Sequence, residues 1–311
     1  SGSSGIPTFW FRNDEQEEVG GHIHEQIFRD IFHIKKTERT LVVVCFAMGI
    51  WVAGNFTLAS CRSIARKGYS LTTITPGIEQ EDILEILKRL APNFQNLILA
   101  GYPPFIMNIV DQARKRGIQL KNKVYILTAG DKFSENWRSD LLNLLDIEDL
   151  HHSLISIYGS ADAGILGYET PLTIFLQRKI SENKKLSREF FGNYVDLPGL
   201  VQYDPRYILF EEVENELVLT VNTAVPLIRY NIHDVGHVLP YVDIKRFLKS
   251  YGLERETSRH GLARWKLPFL VLKGRTDVAT TFYALNILPE HIRAGIESRG
   301  VAKFLSGSFF A

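Results

Sequence analysis

The sequence predicts an α/β protein in which a mainly parallel sheet with flanking helices is joined to a small antiparallel β subdomain. Two observations lead to this fold class. Between about residues 40 and 160, short β-branched runs alternate with amphipathic segments of helical length, whereas after residue 200 short strands follow one another without long helices between them. Alternating strands and helices indicate right-handed crossovers in a parallel sheet, and closely spaced strands indicate antiparallel pairing.

The first part of the chain contains apolar, β-branched runs that are typical of strands. They lie at residues 41–46, 71–75, 96–100, 123–127 and 154–158. All of them are expected to be buried on both faces, as strands covered by helices usually are. Between them, apolar residues recur every three or four positions in 83–90 and 106–113, and Pro92 and Gly117 follow these segments. That spacing predicts amphipathic helices.

The second part of the chain contains closely spaced strand patterns. Its predicted strands lie at residues 207–210, 216–221, 227–230 and 236–241. Residues 244–251 have the pattern of a helix, and a last strand is predicted at 269–272. Short strands with short connections predict an antiparallel subdomain.

The composition excludes several classes of protein. The chain has 311 residues, of which 45% are hydrophobic and 23% charged, as expected for a globular protein that buries one or two cores. The net charge is +1 and the basic residues are scattered, so no face for nucleic acid is expected. The two cysteines, Cys45 and Cys61, form no CxxC pair, which favours a reducing compartment over a disulfide framework.

No membrane segment is expected. The longest apolar run, residues 41–53, is short and is interrupted by Gly49, and no signal peptide precedes it. A membrane-spanning helix needs about 20 consecutive apolar residues. We therefore expect a cytoplasmic protein with no membrane partner.

The first eight residues are rich in glycine and hydroxyl side chains, as expected for a loop whose backbone N–H groups surround phosphate oxygens. The candidate triphosphate-binding residues in this loop are Ser1, Gly2, Ser3, Ser4, Gly5 and Thr8. The segment does not fit the Walker loop, because no lysine closes it. The sequence SGSSG is also typical of a cloning linker, and the pentapeptide taken alone favours that alternative.

Two further candidate segments follow predicted strands, which is where open α/β sheets bind ligands. Tyr158 can stack on a base, Gly159 allows close approach of a ligand, and Asp162 can hold Mg²⁺ between phosphates. Gly130 and Asp131 follow the preceding strand and are expected to form the opposite wall of the same cleft. A strand followed by Gly and Asp is most often only a turn, so neither segment is specific by itself.

Two charged residues in the β-rich part are further candidates for nucleotide contacts. Asp234 follows the segment PLIRYNIH, and its carboxylate can accept hydrogen bonds from both ribose hydroxyls. Arg275, in the segment KGRTD, can add positive charge near ribose or phosphate. Taken singly, each is more often a surface ion-pair residue.

The order of these motifs is more specific than any one of them. A Ser-Gly-rich loop, aromatic-Gly-x-x-acid, Arg-Tyr-x-x-x-Asp, Gly-Arg-x-Asp and Asn-x-x-Pro-x-x-Ile follow one another along the whole chain. In this order they resemble the adenylate-forming (acyl-activating) superfamily, most closely its phenylacetate-CoA ligase branch. Ile6, Pro7 and Thr8, followed by an acidic helix start at 13–18, match how that family continues from its phosphate loop. The resemblance therefore favours a phosphate loop over a linker.

The resemblance implies binding of ATP or AMP by these candidates. The 1–8 loop would hold phosphates, Asp234 would bind ribose, and Arg275 would support ribose or phosphate. Asp162 and Arg275 are the expected catalytic residues, and Asp162 is the expected Mg²⁺ ligand. The expected adenine and metal corner comprises Tyr158, Gly159, Ser160, Ala161 and Asp162, with Gly130 and Asp131.

Other positions take on meaning only through the resemblance, since by themselves they would be assigned to the core. The implied acyl pocket comprises Phe46, Met48, Trp51 and Tyr102. Asp277 is the expected hinge residue. The sequence also departs from the family pattern, because Ala161 stands where Ser or Thr is usual and Asp162 where Glu is usual. Contact with the α-phosphate is expected to be weaker as a result, while the metal role is retained.

The resemblance also implies a domain organisation. Residues 1–200 would form the α/β nucleotide- and acyl-binding core, 201–272 a β-rich subdomain that completes it, and 273–311 the hinge and the start of a C-terminal lid. The chain resembles a truncated member that begins at the phosphate loop and ends soon after the hinge. The lid lysine that contacts the reacting carboxylate in the family is then expected to lie outside it.

The activity implied is ATP-dependent conversion of a small carboxylic acid to an acyl-adenylate with release of pyrophosphate. Transfer to a thiol, most often that of coenzyme A, would follow, and related enzymes often form homodimers. Two questions remain open. The first is whether the chain is an acid-thiol ligase or a homologue that binds nucleotide or acyl ligand with impaired catalysis. The second is whether the acyl acceptor is coenzyme A, an amine or a carrier-protein thiol.

Overall fold

The computed structural model describes residues 8–192, 197–275, 280–282, 285–287 and 289–297. The chain divides into two compact units. The first contains the described parts of Ser1–Phe133, Arg138–Leu166 and Thr223–Val225, and the second those of Ser134–Trp137, Gly167–Asn222 and Pro226–Ala311. The predicted boundaries at residues 200 and 272 follow motifs rather than compactness, and they stay predictions.

The first unit is built on a parallel sheet. Its strands are β1 (Thr40–Cys45), β2 (Leu71–Ile74), β3 (Asn96–Gly101), β4 (Lys123–Ala129) and β5 (Leu154–Ser160). They pair in the order β2-β1-β3-β4-β5, and each paired set for which the register is described is parallel. The helices are α1 (Asp14–Gln26), α2 (Val52–Arg66), α3 (Gln80–Glu85), α4 (Pro103–Lys115) and α5 (Glu135–Leu144), whose first three residues belong to the second unit. The strand-helix alternation predicted from sequence is confirmed.

Burial of the strands follows their place in this sheet. All residues of β1 and β3 are buried, because both strands have neighbours on either side. The prediction that every strand would be buried on both faces is wrong for β2. This strand lies at the edge of the sheet, and Leu71–Ile74 is only partly covered.

Helix α1 approaches α2 closely because two glycines lie at the contact. A Cβ atom on Gly20 would lie 2.4 Å from the Phe56 ring, and one on Gly21 would lie 2.8 Å from the Ser63 hydroxyl. The helix begins at a capping box, in which Asn13 accepts a hydrogen bond from the Gln16 amide at 3.0 Å and Gln16 accepts one from the Asn13 amide. The glycines permit the close helix contact, and the capping box fixes where α1 begins.

The second unit is mainly antiparallel. Its strands are β6 (Gly164–Tyr168, shared with the first unit), β7 (Gly199–Gln202), β8 (Ile208–Val213), β9 (Glu216–Val221), β10 (Leu227–Leu239) and β11 (Phe269–Arg275). They pair in the order β6-β7-β11-β10-β9-β8, and β12 (Thr280–Phe282) pairs with β13 (Leu285–Ile287). The helices are α6 (Pro171–Glu182), α7 (Lys184–Phe191), α8 (Tyr241–Ser250), α9 (Glu254–Arg259) and α10 (Pro289–Ile296). The antiparallel β part of the fold prediction is confirmed.

Strand β10 corrects one detail of the prediction. The segments 227–230 and 236–241 were predicted as separate strands, but they belong to a single strand that ends at Leu239, and Tyr241 already starts α8. The intervening residues look like a loop in sequence because the strand is irregular there. Its register shifts repeatedly, and Arg229 and His233 have positive φ angles of 50° and 62°.

Cys45 and Cys61 are buried and free, and burial raises the pKa of both thiols to about 12. Within the described residues, no helix is both long enough and apolar enough to cross a membrane.

Candidate functional site

In the first unit, the candidate residues follow strands of the parallel sheet at the carboxyl edge. Phe46 follows β1, Tyr102 follows β3, Gly130 follows β4 and Asp162 follows β5. Parallel strands all end at the same edge, which is the usual ligand-binding edge of an open α/β sheet. The fold therefore places candidates from four separate segments of sequence at one edge.

A hydrogen bond joins the loops after β3 and β4. The Tyr102 hydroxyl donates to Asp131 Oδ2 at 3.0 Å, and the Lys132 amide donates to Asp131 Oδ1 at 2.9 Å. Gly130 has a φ of 93°, and a Cβ atom there would lie 3.6 Å from the Tyr102 ring. Glycine suits this position because L side chains rarely adopt that φ. Tyr102 and Asp131, assigned to different subsites by resemblance, are thus partners.

The turn after β5 carries Asp162. The Ala163 amide donates both to Ser160 Oγ at 3.2 Å and to Asp162 Oδ1 at 2.9 Å, which closes the turn on itself. Gly159 lies where β5 and β6 approach each other, since a Cβ atom there would lie 2.6 Å from the Gly164 carbonyl oxygen. The close approach of the two strands therefore explains the glycine at position 159 without reference to a ligand.

Arg12 contacts this turn, and the sequence alone does not identify it as a candidate. Its Nη2 donates to the Ala161 carbonyl at 2.7 Å. Burial lowers the pKa of the Arg12 guanidinium, and the charges of Asp162 and Glu17 oppose that effect. The only sequence signal is a basic residue directly before a helix-capping motif, which does not identify a contact 149 positions away.

The predicted acyl-pocket residues differ in exposure. Phe46 is buried with 7% of its surface accessible, whereas Trp51 and Tyr102 are 65% and 41% exposed at the carboxyl edge. Met48 lies against α2, where a Cβ atom on Gly54 would lie 2.6 Å from its sulfur. Exposed aromatic rings at this edge are compatible with an apolar ligand, and the pocket itself stays a prediction.

In the second unit, Asp234 and Arg275 face each other across β10 and β11. Arg275 Nε lies 3.9 Å from Asp234 Oδ1, and the side chains are 43% and 15% exposed, respectively. Asp234 lies in the irregular part of β10, where the His233 amide donates to Asn231 Oδ1 at 2.7 Å. The Asn231 amide group donates in turn to Glu216 Oε2 at 2.5 Å. These bonds fix the bulge that positions Asp234.

The remaining candidates are placed as follows. Thr8 and Gly130 are exposed, while Tyr158, Ser160 and Ala161 are partly buried. The predicted phosphate-loop residues Ser1, Gly2, Ser3, Ser4 and Gly5 and the predicted hinge Asp277 lie outside the described residues. Among the described residues, no group of three or more His, Cys, Asp or Glu side chains could hold a metal ion.

Asp162 can still serve as a single protein ligand for Mg²⁺. One of its carboxylate oxygens accepts the Ala163 amide, and the two oxygens together have further acceptor capacity. Mg²⁺ bound with nucleotides usually takes one or two carboxylates and completes its shell with phosphates and water. The donor set of this turn therefore fits a nucleotide-bound cation and does not fit a metal held by protein alone.

Comparison with solved structures decides the fold. A 2-hydroxyisobutyryl-CoA ligase in complex with 2-HIB-AMP matches with a TM-score of 0.64 over 95% of this chain, at 13% identity. The ATP-bound RpMatB-BxBclM chimera B1 matches with a TM-score of 0.56 over 96% of this chain, at 11% identity. The chain has the fold of the adenylate-forming enzymes.

A mutant of the amide bond synthetase McbA from Marinactinospora thermotolerans also has this adenylate-forming fold, with a TM-score of 0.50 over 90% of this chain at 11% identity. The chain spans about half the length of these three proteins, namely 55%, 51% and 50%. No protein-family model and no curated protein sequence matches it. The similarity of this chain to known proteins is therefore seen in the structure and not in the sequence.

Proposed function

We propose that the protein containing this chain uses Mg·ATP to convert a carboxylic acid to an acyl-adenylate and pyrophosphate. One observation carries the proposal: Gly130, Asp131 and Asp162 follow strands at the carboxyl edge of a parallel sheet, in a chain with the adenylate-forming fold. Matched structures with this fold are described as bound to ATP or to an acyl-AMP. The proposed reaction consumes ATP and produces an acyl-AMP.

The reaction poses an electrostatic problem. A carboxylate must approach an anionic α-phosphate while negative charge moves to the departing pyrophosphate. The carboxylate oxygen forms a bond to the α-phosphorus, and the bond from that phosphorus to the β-phosphate bridging oxygen breaks. Positive charge and N–H donors close to the phosphates therefore stabilise the transition state more than the ground state.

We assign the residues roles in this reaction. Residues 1–5 surround the β- and γ-phosphates, and Asp162 binds the nucleotide-bound Mg²⁺. Tyr158 and Gly130 bracket adenine, while Asp234 accepts hydrogen bonds from the ribose hydroxyls. Arg275, which lies 3.9 Å from the Asp234 carboxylate, orients that carboxylate and adds charge near ribose or phosphate.

The acyl acceptor is proposed to be the thiol of coenzyme A, as in the phenylacetate-CoA ligase branch. A matched ligase structure is described as a complex with both 2-HIB-AMP and CoA, which supports a thiol. The match to an amide bond synthetase supports an amine as the alternative. A cytoplasmic location is proposed because Cys45 and Cys61 are both free.

A second candidate function is nucleotide binding with impaired turnover. It is favoured by Ala161, which has no hydroxyl to offer a phosphate at a position where the resembled family usually has Ser or Thr. In this alternative Asp162 still serves as the metal ligand, although its side chain is shorter than that of Glu. The two candidates differ in pyrophosphate release and not in ATP binding.

The test has two stages. Calorimetry on the 311-residue chain is expected to show MgATP binding that Asp162→Ala weakens about tenfold, because a metal ligand is lost. Asp243→Ala, which removes an exposed carboxylate paired with Arg246, is the control and should leave the affinity unchanged. Pyrophosphate release is then measured with a panel of aryl and fatty acids.

The outcomes separate the candidates. Binding and acid-dependent pyrophosphate release support the ligase, and binding without release for any acid supports the impaired homologue. No binding of ATP to the unsubstituted chain would contradict both. Homodimer formation is a separate prediction, tested by light scattering of the purified protein.

A further inference from the structure

Arg12 connects three separate elements of the first unit. It directly precedes Asn13, the cap of α1, and its guanidinium carbon lies 5.3 Å from the centre of the Phe56 ring in α2. Its Nη2 donates to the carbonyl oxygen of Ala161 in the turn after β5. The side chain therefore ties the start of α1 to that turn.

Packing alone does not account for an arginine at this position. Its Nη1 is buried and has no hydrogen-bond partner among the described residues, although a buried donor left unpaired costs free energy. Arg12 has two carboxylates whose charges offset this burial, Asp162 and Glu17. An unbranched apolar side chain could cover Phe56 without any such cost.

The turn that Arg12 contacts is the one that carries Asp162. Ser160 and Asp162 both accept the Ala163 amide, so these bonds fix the backbone of the turn from within. The bond from Arg12 to the Ala161 carbonyl fixes the same backbone from outside, one residue before Asp162. Loss of the outer bond leaves Asp162 free to change its direction relative to the sheet edge.

We propose that Arg12 is a positioning residue that holds the Ser160–Ala163 turn in the geometry needed for Asp162 to bind a nucleotide-associated divalent cation. This inference rests on the proposed function. Because Nη2 is engaged with the backbone and Nη1 is buried, Arg12 acts through the turn and does not itself contact the ligand.

The experiment compares Arg12→Met, Arg12→Lys and a matched control in the 311-residue chain. The control is Lys67→Met, which removes another basic contact of α1, the 2.6 Å pair between Lys67 and Glu25. Two quantities are measured. The first is amide hydrogen exchange at residues 160–163 without ligand, and the second is the dissociation constant for MgATP.

Arg12→Met is expected to speed exchange at these amides about tenfold and to raise the dissociation constant about tenfold, since a charge-assisted hydrogen bond is lost. Arg12→Lys should give intermediate values, because the ammonium keeps the charge but lacks the planar fork. Lys67→Met should change neither quantity, although it lowers stability. A purely structural role for Arg12 predicts that both Met variants behave alike.

Unchanged exchange in Arg12→Met overturns the inference, whatever the chain does with nucleotide. Faster exchange with an unchanged dissociation constant overturns it as well, because the turn would then be loosened without effect on the cation. If the unsubstituted chain does not bind MgATP, the proposed function itself fails. Should Arg12→Met not fold, the same two measurements on Arg12→Lys decide.

Discussion

At the scale of single residues, His24 connects the core of α1 to the pH dependence of stability. Its Nδ1 hydrogen donates to the Gly20 carbonyl at 2.9 Å, and Nε2 is buried without a partner among the described residues. Burial lowers the pKa of His24 from 6.5 to about 4. The imidazole of His24 is therefore neutral in the folded protein over a pH range in which the same imidazole is protonated in the unfolded chain.

This difference predicts a loss of stability on acidification. Between pH 6.5 and 4 the unfolded state binds more protons than the folded state, so the free energy of unfolding falls as pH falls, by up to about 3 kcal/mol. Denaturant unfolding from pH 7.5 to 4.5 should show this slope. His24→Gln should flatten it, whereas His22→Gln, at an exposed position of the same helix, should not. Equal slopes in all three proteins would contradict the assignment.

The residue scale also shows how far sequence reasoning reaches. Asp162, Gly130 and Asp131 are candidates because they lie in segments that follow strands, and the ends of parallel strands are usual ligand positions. Arg12 was not found, since its partner Ala161 is brought close only by tertiary packing. The pairing of Tyr102 with Asp131 was missed for the same reason. Sequence motifs therefore identify candidate residues, whereas the contacts between those residues are known only from the folded structure.

At the scale of elements, the start of α1 depends on Asn13. Its side chain accepts the Gln16 amide, which otherwise would have no partner within the helix. Asn13→Ala is expected to lower the free energy of unfolding by about 1 kcal/mol, and Asn13→Ser to change it little, because Ser keeps a capping oxygen. Urea denaturation measures both. An Ala variant as stable as the Ser variant would show that the cap contributes nothing.

The contact between β10 and β11 depends on a glycine. A Cβ atom on Gly236 would lie 2.3 Å from the Val271 carbonyl oxygen, which is a backbone atom that cannot move aside alone. Gly236→Ala is expected to destabilise the protein by about 3 kcal/mol or more.

Gly199→Ala in β7 is the matched control for this contact. Its nearest neighbour would be Leu272 Cβ at an ordinary 3.7 Å, so a change of less than about 1 kcal/mol is expected. Thermal unfolding compares the two variants. Equal stability of both would show that β11 adjusts to the added methyl group.

Periodicity predicted most elements but failed where an element is irregular. The strands β1, β3 and β4 are regular apolar runs and were found almost in full. Strand β10 was divided in two because Asn231, His233 and Asp234 are typical of loops. The ladder nevertheless continues through them, and a hydrogen bond from Asn231 to Glu216 stabilises the bulge. The exposure of β2 depends on its place at the edge of the sheet, which local sequence does not reveal.

At the scale of the whole molecule, the candidates divide between two compact units, with Asp162 in the first and Asp234 in the second. The proposed function assigns the nucleotide-bound metal to Asp162 and the ribose to Asp234. MgATP is therefore expected to slow amide exchange both at residues 158–163 and at residues 231–235. Exchange measured with and without saturating MgATP tests this. Protection in only one unit would remove either the metal ligand or the ribose ligand from the proposal.

The whole-molecule fold was predictable from the order of motifs, although no family model or curated sequence matches the chain. The fold agrees with that of a ligase whose sequence is only 13% identical to this chain. The choice of acid and of acceptor was not predictable, because the specificity of a ligand pocket depends on tertiary contacts rather than on a motif.

The burial of Cys45 and Cys61 gives this protein a practical advantage for spectroscopy. Thiolates react with maleimides, and neither cysteine ionises near neutral pH. A single cysteine introduced on the surface should therefore take up a fluorophore selectively while both natural thiols remain. Mass spectrometry should find no adduct on the native chain and two after denaturation, so dyes could report on ligand binding without a cysteine-free background.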